Sequence, residues 1–177
     1  HRVDRRQRQM CIRDSGFPNV DILQPMYNLV KRQAEVEILP MAKSEDIGVI
    51  SYSPLGGGLL TGKYSKEVNT TNKNSSGRLH DNEKYKLRYG QNWMYEAANN
   101  LQKIAQDLNH DPIALAVAWV SYNDAITAPI ISARNLKQLN PSLDAAKITF
   151  DKRMYDLISE LSPTPPPATD RLEEISH

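Results

Sequence analysis

Gly57, Gly62 and Lys63 stand at the spacing G-x4-G-K, with which a glycine-rich loop can turn backbone N–H groups toward a phosphate and bring a lysine to neutralise it. The pattern fails at the next position. Tyr64 stands where Mg²⁺ coordination needs Ser or Thr, and a polar stretch comes next in place of the helix whose N-terminus would receive the phosphate. A nucleoside triphosphatase is therefore set aside. The other reactive residue types are sparse. The four histidines, at 1, 80, 110 and 177, are too scattered to form a metal-ligand set. The single cysteine, Cys11, rules out an intramolecular disulfide and points to a reducing compartment.

The elements that would carry such a loop alternate between strand and helix. Residues 21–26 (DILQPM) and 48–53 (GVISYS) are short runs bounded by turn residues and read as strands. Between them, residues 34–45 place Val36, Ile38, Leu39 and Ala42 at helical spacing, with Pro40 admissible only in the first turn. Strand, helix and strand in this order form a βαβ unit and imply a parallel sheet. Residues 55–60 read as an apolar glycine-rich loop, and residues 65–82, almost wholly polar, as a surface loop. A helix then carries Trp93, Ala97, Leu101, Ile104 and Leu108 on one face. Asp111 caps a second helix that opens on Pro112, and its stretch 113–120 is apolar nearly all round, which predicts deep burial. Residues 128–132 (APIIS) are a third strand candidate. Leu136, Leu139, Leu143 and Ala146 mark a further helical face, which Pro141 interrupts; Asn140-Pro141 offers a cap and first position for the regular part. Asp151 caps a last amphipathic helix with Met154, Leu157, Ile158 and Leu161.

Composition narrows the class. Of 177 residues, 40% are hydrophobic and 24% charged, enough for one ordinary domain with a sizeable core. The net charge of +1 lacks the basic surplus of a nucleic-acid binder. No apolar run is long enough to span a bilayer, so no membrane partner and a cytoplasmic location are expected. The charge is unevenly spread, because residues 1–15 carry five Arg against two Asp. They read as a disordered leader or foreign join, followed by a domain over 16–161 and a Pro-rich extended tail over 162–177. Three strands are few for an all-parallel sheet, which needs helices on both faces or closure into a barrel. A complete (β/α)8 barrel takes roughly 250 residues. The chain reads as a piece of something larger.

The stretches QPMYNLVKRQAEVEILPMAKSEDIGVISYSPLGGGLLTGKY (24–64), DPIALAVAWV (111–120) and PIISARNLKQL (129–139) resemble the aldo-keto reductase family, in the family's order. The likeness is greatest to the branch that holds the potassium-channel β subunits and related bacterial reductases. It implies an α/β fold, the C-terminal portion of a (β/α)8 TIM barrel with about strands 6–8 and their helices. It also implies reduction of an aldehyde or ketone, a small-molecule carbonyl substrate, with NADP(H).

The resemblance further implies which residues meet that cofactor. Gln24 matches the amide that holds the nicotinamide carboxamide, a group whose donor and acceptor an amide can answer. Tyr52 matches the aromatic that stacks on the nicotinamide ring. Ser53, Pro54, Leu55, Gly56 and Gly57 match the loop around the pyrophosphate, and Lys63 a lysine that neutralises it; Arg78 is a weaker candidate for that charge. Ser132, Ala133, Arg134 and Gln138 match the segment at the adenine end and 2′-phosphate, where a guanidinium can stack or bond. The family commonly has Glu-Asn where this chain has Pro141-Ser142, so Ser142 is expected to keep one contact and NAD(H) stays open beside NADP(H). The family's catalytic Asp, Tyr, Lys and His belong to the first half of the barrel. Tyr27, Tyr64, Tyr85 and His80 do not match them, and no catalytic residue is assigned. The competing reading is a non-catalytic NADP-binding regulatory or partner subunit. Oligomeric state is not legible.

Overall fold

The computed structural model describes residues 15–16, 20–64 and 77–167. Its centre is a parallel sheet of three short strands, β1 (Ile22–Leu23), β2 (Gly48–Ser51) and β3 (Ala128–Pro129), in the order β1-β2-β3. Ile22 pairs with Gly48, Leu23 with Val49, Ile50 with Ala128 and Ser51 with Pro129. Paired residues share a face in a parallel ladder. The face of Leu23, Val49 and Ser51 is covered, with Val49 and Ser51 fully buried. The face of Ile22, Gly48, Ile50 and Ala128 is more open, and Ile22 is 57% exposed.

The βαβ expectation holds, with shorter strands than the turn residues suggested. Regular pairing ends early because the chain on either side pairs through single bridges: Met26 with Tyr52 continues β1 and β2 by one isolated contact. The third strand likewise stops at Pro129, and residues 130–132 are irregular. The connecting segment is split into a 3-10 turn (Gln33–Glu35) and α1 (Ile38–Ser44), so Pro40 falls in the first turn of α1, where its missing N–H costs nothing.

The expected loop at residues 65–82 is only partly described. Residues 65–76 lie outside the described part, and the chain beyond them is helical: α2 (Arg78–Asp81), then α3 (Glu83–Tyr89), capped by the Asn82 side chain accepting from the Lys84 N–H. Charged residues hide this helix from a periodicity reading, since its buried contribution is chiefly Tyr89. The next helix, α4 (Asn92–Asp107), buries Met94, Ala97, Ala98, Leu101 and Ala105. Helix α5 (Pro112–Tyr122) is the centre of the helix layer, buried without interruption from Ala114 to Val120. Its Asp111 cap accepts from the Ile113 N–H at 2.7 Å.

Two corrections concern α6 (Leu136–Asp144). Its cap is Asn135, whose side chain accepts from the Gln138 N–H at 3.1 Å, and Pro141 lies inside the helix. The face is rotated as well. Leu136 is 72% exposed and Leu143 half exposed, whereas Ser142 and Ala145 turn inward. Ala145 packs on Val117 and Ala118 of α5, where only small side chains fit a close approach of helices. The last helix, α7 (Lys152–Ser159), is capped by Asp151 and buries Ile158.

Helix α7 is tied down by an aromatic and polar cluster. The Trp119 ring stacks on Tyr27 (centroids 5.2 Å apart) and Tyr155 (5.4 Å), and its indole N–H donates to Ser159 Oγ at 2.9 Å. Arg32 lies over Trp119, pairs with both oxygens of Glu35 at 2.9 Å, and donates to the Ser159 carbonyl and Ser162 Oγ. The Tyr27 hydroxyl donates to Glu35 Oε1 at 2.7 Å and accepts from Asn123 Nδ2 at 3.1 Å. Residues 163–167 have no regular structure. The expected leader, apart from Ser15, and the tail beyond residue 167 lie outside the described residues.

Candidate functional site

Parallel strands put all their carboxyl ends on one edge, and in open α/β sheets that edge is where ligands bind. Here the segments leaving β1, β2 and β3 carry Gln24, residues 52–57, and residues 132–138 with the first turn of α6. Gln24, directly after β1, is exposed. Tyr52, directly after β2, is half-buried and held at its backbone from both sides: its N–H donates to the Pro25 carbonyl at 3.0 Å and its carbonyl accepts from the Tyr27 N–H at 3.3 Å.

Ser53 then turns the chain sharply, with φ of +59°, a left-handed value that side chains other than glycine seldom adopt. Its carbonyl accepts from the Gly56 N–H at 3.0 Å and from Asn28 Nδ2 at 2.9 Å. Pro54 is buried, and Leu55 half-buried. The segment expected as a loop is a 3-10 helical run (Gly56–Thr61) broken at Gly57 and Gly58, both left-handed. The glycines serve packing as well as conformation. A Cβ on Gly57 would lie 2.7 Å from the Tyr85 ring and 3.3 Å from Tyr89, so α3 rests against this turn. Burial raises the Tyr89 phenol above its ordinary pKa, and the hydroxyl donates to Met26 Sδ at 3.3 Å. Lys63 is exposed and folds back: a Cβ on Gly58 would lie 3.3 Å from Lys63 Cε and 3.5 Å from its Nζ. The ammonium also sits 4.8 Å from the Tyr64 ring centroid.

After β3, Ser132, Ala133 and Arg134 are exposed. The Arg134 N–H donates to Gln138 Oε1 at 3.2 Å, so that oxygen is spent on the start of α6. The guanidinium of Arg134 has no hydrogen bond or ion pair among the described residues. Ser142 stands apart from the rest of the expected set. It is 4% exposed on the inner side of α6, unlike the exposed Gln24, Lys63, Ser132, Ala133 and Arg134. The Arg78 side chain lies outside the described part of the chain.

The loops after β2 and β3 have a common floor. Leu55 from the first and Ile131 from the second both pack on the cluster of Val117, Ala118 and Ala145. Tyr52 and Arg134 thus belong to two segments that pack on the same small-residue cluster. Sequence reading missed Asn28, Tyr85 and Ile131 as supports of this edge. An asparagine inside the apolar run MYNLV was the available signal, because a buried amide must find partners.

Among the described residues no group of His, Cys, Asp or Glu could hold a metal, and no helix is long and apolar enough to cross a membrane. A shallow depression on α7 and its C-cap is lined by Lys152, Asp156 and Glu160, none of them an expected site residue.

The aldo/keto reductase family profile matches residues 3–163, and the chain belongs to that family. It is 33% identical over 142 residues to an uncharacterized oxidoreductase, YrpG, of Bacillus subtilis, covering 80% of this chain and 40% of that protein. Over 147 residues it is 30% identical to aflatoxin B1 aldehyde reductase member 2 of mouse, covering 76% and 40%. A probable voltage-gated potassium channel subunit beta of Arabidopsis thaliana is 28% identical over 134 residues, covering 71% and 38%. The chain therefore spans about two fifths of the length of these relatives.

Proposed function

We propose that this chain supplies the cofactor-binding portion of an NAD(P)H-dependent carbonyl reductase, without the family's catalytic residues. The packing of Leu55 and Ile131 against one cluster of Val117, Ala118 and Ala145 supports the reading, in which the two loops would be neighbouring walls of one groove. The donor set fits a dinucleotide. Gln24 offers an amide to the nicotinamide carboxamide and Tyr52 a ring face. Residues 53–57, with Lys63 beside Gly58, offer a left-handed turn and a cation to the pyrophosphate. Ser132, Ala133 and Arg134, whose guanidinium is unpaired among the described residues, offer the adenine end a planar cation, favoured there by the N-terminus of α6. Ser142 is left out because it is buried. NADP(H) is favoured over NAD(H) by Arg134. When bound, the cofactor would supply hydride to an aldehyde or ketone.

The second reading is a non-catalytic NADP-binding partner subunit, which the likeness to a channel subunit beta supports. It needs the same edge without turnover. In a protein that joins this chain to its upstream half, NADPH oxidation with an aromatic aldehyde supports the reductase; tight NADPH binding without oxidation supports the subunit.

For the 177-residue chain alone, the expected outcome is weak NADPH binding and no aldehyde reduction. Ligand-observed saturation-transfer NMR should detect NADPH, with NADH weaker and R134A erasing the difference between them. Equal signals for both nucleotides with wild type and R134A would contradict the assignment of Arg134.

A further inference from the structure

Asn28 is fully buried, and each end of its side-chain amide is engaged. Oδ1 accepts from the Val30 N–H at 3.1 Å; Nδ2 donates across 25 residues to the Ser53 carbonyl at 2.9 Å and lies 3.5 Å from the Tyr89 hydroxyl. Its own backbone is fixed, since its carbonyl accepts from the Lys31 N–H at 2.9 Å and its N–H donates to the Lys31 carbonyl at 3.3 Å. The amide thus joins a rigid loop after β1 to the one non-glycine left-handed residue of the turn after β2, Ser53.

Such a residue persists only where its surroundings over-determine it. The Ser53 carbonyl points between the Asn28 amide and the Gly56 N–H. An amide carries its donor and its acceptor on separate atoms, which lets Asn28 donate to that carbonyl and accept from Val30 at once. Aspartate would set an acceptor against the carbonyl, and leucine would leave it without its second donor.

We propose that Asn28 is the positioning residue that holds residues 53–57 in the shape that receives the pyrophosphate of the dinucleotide, an inference that rests on the cofactor reading above. Asn28 acts through Ser53 and does not itself touch the ligand.

The test uses the ¹⁵N-labelled 177-residue chain as wild type, N28D, S53G and the N28D/S53G pair. Without nucleotide, N28D should speed amide hydrogen exchange at Gly56 and Gly57 at least tenfold, with exchange in α5 unchanged. In NADPH titrations its Kd should rise at least tenfold, while 2′-AMP, which lacks the pyrophosphate, should bind within twofold of wild type. Glycine tolerates the left-handed backbone without a clip, so S53G should bring the double variant's Kd to within threefold of S53G alone. A purely structural asparagine would not be rescued in this way. The proposal is overturned if N28D leaves exchange and NADPH affinity within twofold, or if the double variant binds as weakly as N28D while S53G alone binds like wild type. Should N28D not fold, N28S with and without S53G carries the same comparison. A wild-type chain that shows no NADPH shift at Gly56 or Arg134 defeats the cofactor reading itself, while the exchange result still decides whether Asn28 holds the turn.

Discussion

The cluster around Trp119 and the carboxyl edge of the sheet are built from similar residue types, yet they are organised in opposite ways. Around Trp119, arginine, glutamate, tyrosine, asparagine and serine bond one another: Arg32 answers Glu35, Tyr27 joins Glu35 to Asn123, and Ser159 takes the indole N–H. At the edge, the side chains of Gln24 and Arg134 face outward with no bond among the described residues, while the backbone beneath them is firmly held. Buried polar groups that satisfy one another are committed to the fold. Polar side chains left open on a fixed backbone are available to a ligand. On the proposed reading, stability belongs to one region and recognition to the other, and substitutions should separate the two.

The largest effect is expected from W119A. It removes a fully buried ring stacked on Tyr27 and Tyr155, and the chain should lose about 3–5 kcal/mol in urea unfolding. Replacing Arg32 by methionine takes both guanidinium bonds and the opposite charge from the Glu35 carboxylate, only 20% exposed, leaves it the Tyr27 hydroxyl alone, and should cost about 3 kcal/mol by the same measurement. A loss under about 0.5 kcal/mol for either would break the division, because that is the size of a neutral surface change.

Alkaline unfolding sharpens it further. Burial, then the Glu35 charge, pushes the Tyr27 phenol far above the usual tyrosine range. Above about pH 10 the unfolded chain releases this proton and the native chain keeps it. The native state then binds more protons, so stability must fall as pH rises. Y27F should flatten that fall between about pH 10 and 12; an unchanged slope would show that Tyr27 is not held as described. The cap substitution D111A should cost about 1 kcal/mol. Smallest of all, R134A should leave stability within about 0.5 kcal/mol of wild type while weakening NADPH binding.

Much of the fold was legible from residue spacing. The Asp111-Pro112 and Asp151 caps, the buried α5 and the parallel order all follow from local signals that tertiary packing left intact. The start of α6 did not, because Asn135 and Asn140-Pro141 are both sound helix openings, and the choice is made where Ala145 meets Val117 and Ala118. The same packing rotates Leu136 and Leu143 outward and buries Ser142, a contact that the family likeness had set at the adenine end. Helix α3 escaped because its anchoring is through Tyr85 and Tyr89 on glycines distant in sequence. At the candidate site, the loop residues are proposed from motif likeness, whereas the supports beneath them, Asn28 and Ile131, act through contacts that no spacing records.

The measurement that bears most directly on the account is an ¹⁵N–¹H titration of the wild-type chain with NADPH, following Gly56, Gly57, Ala133 and Arg134 together. One groove predicts that all four amides shift along a single binding curve with one Kd, leaving the amides around Trp119 in place. Shifts confined to one loop, or two curves with different Kd values, would contradict it.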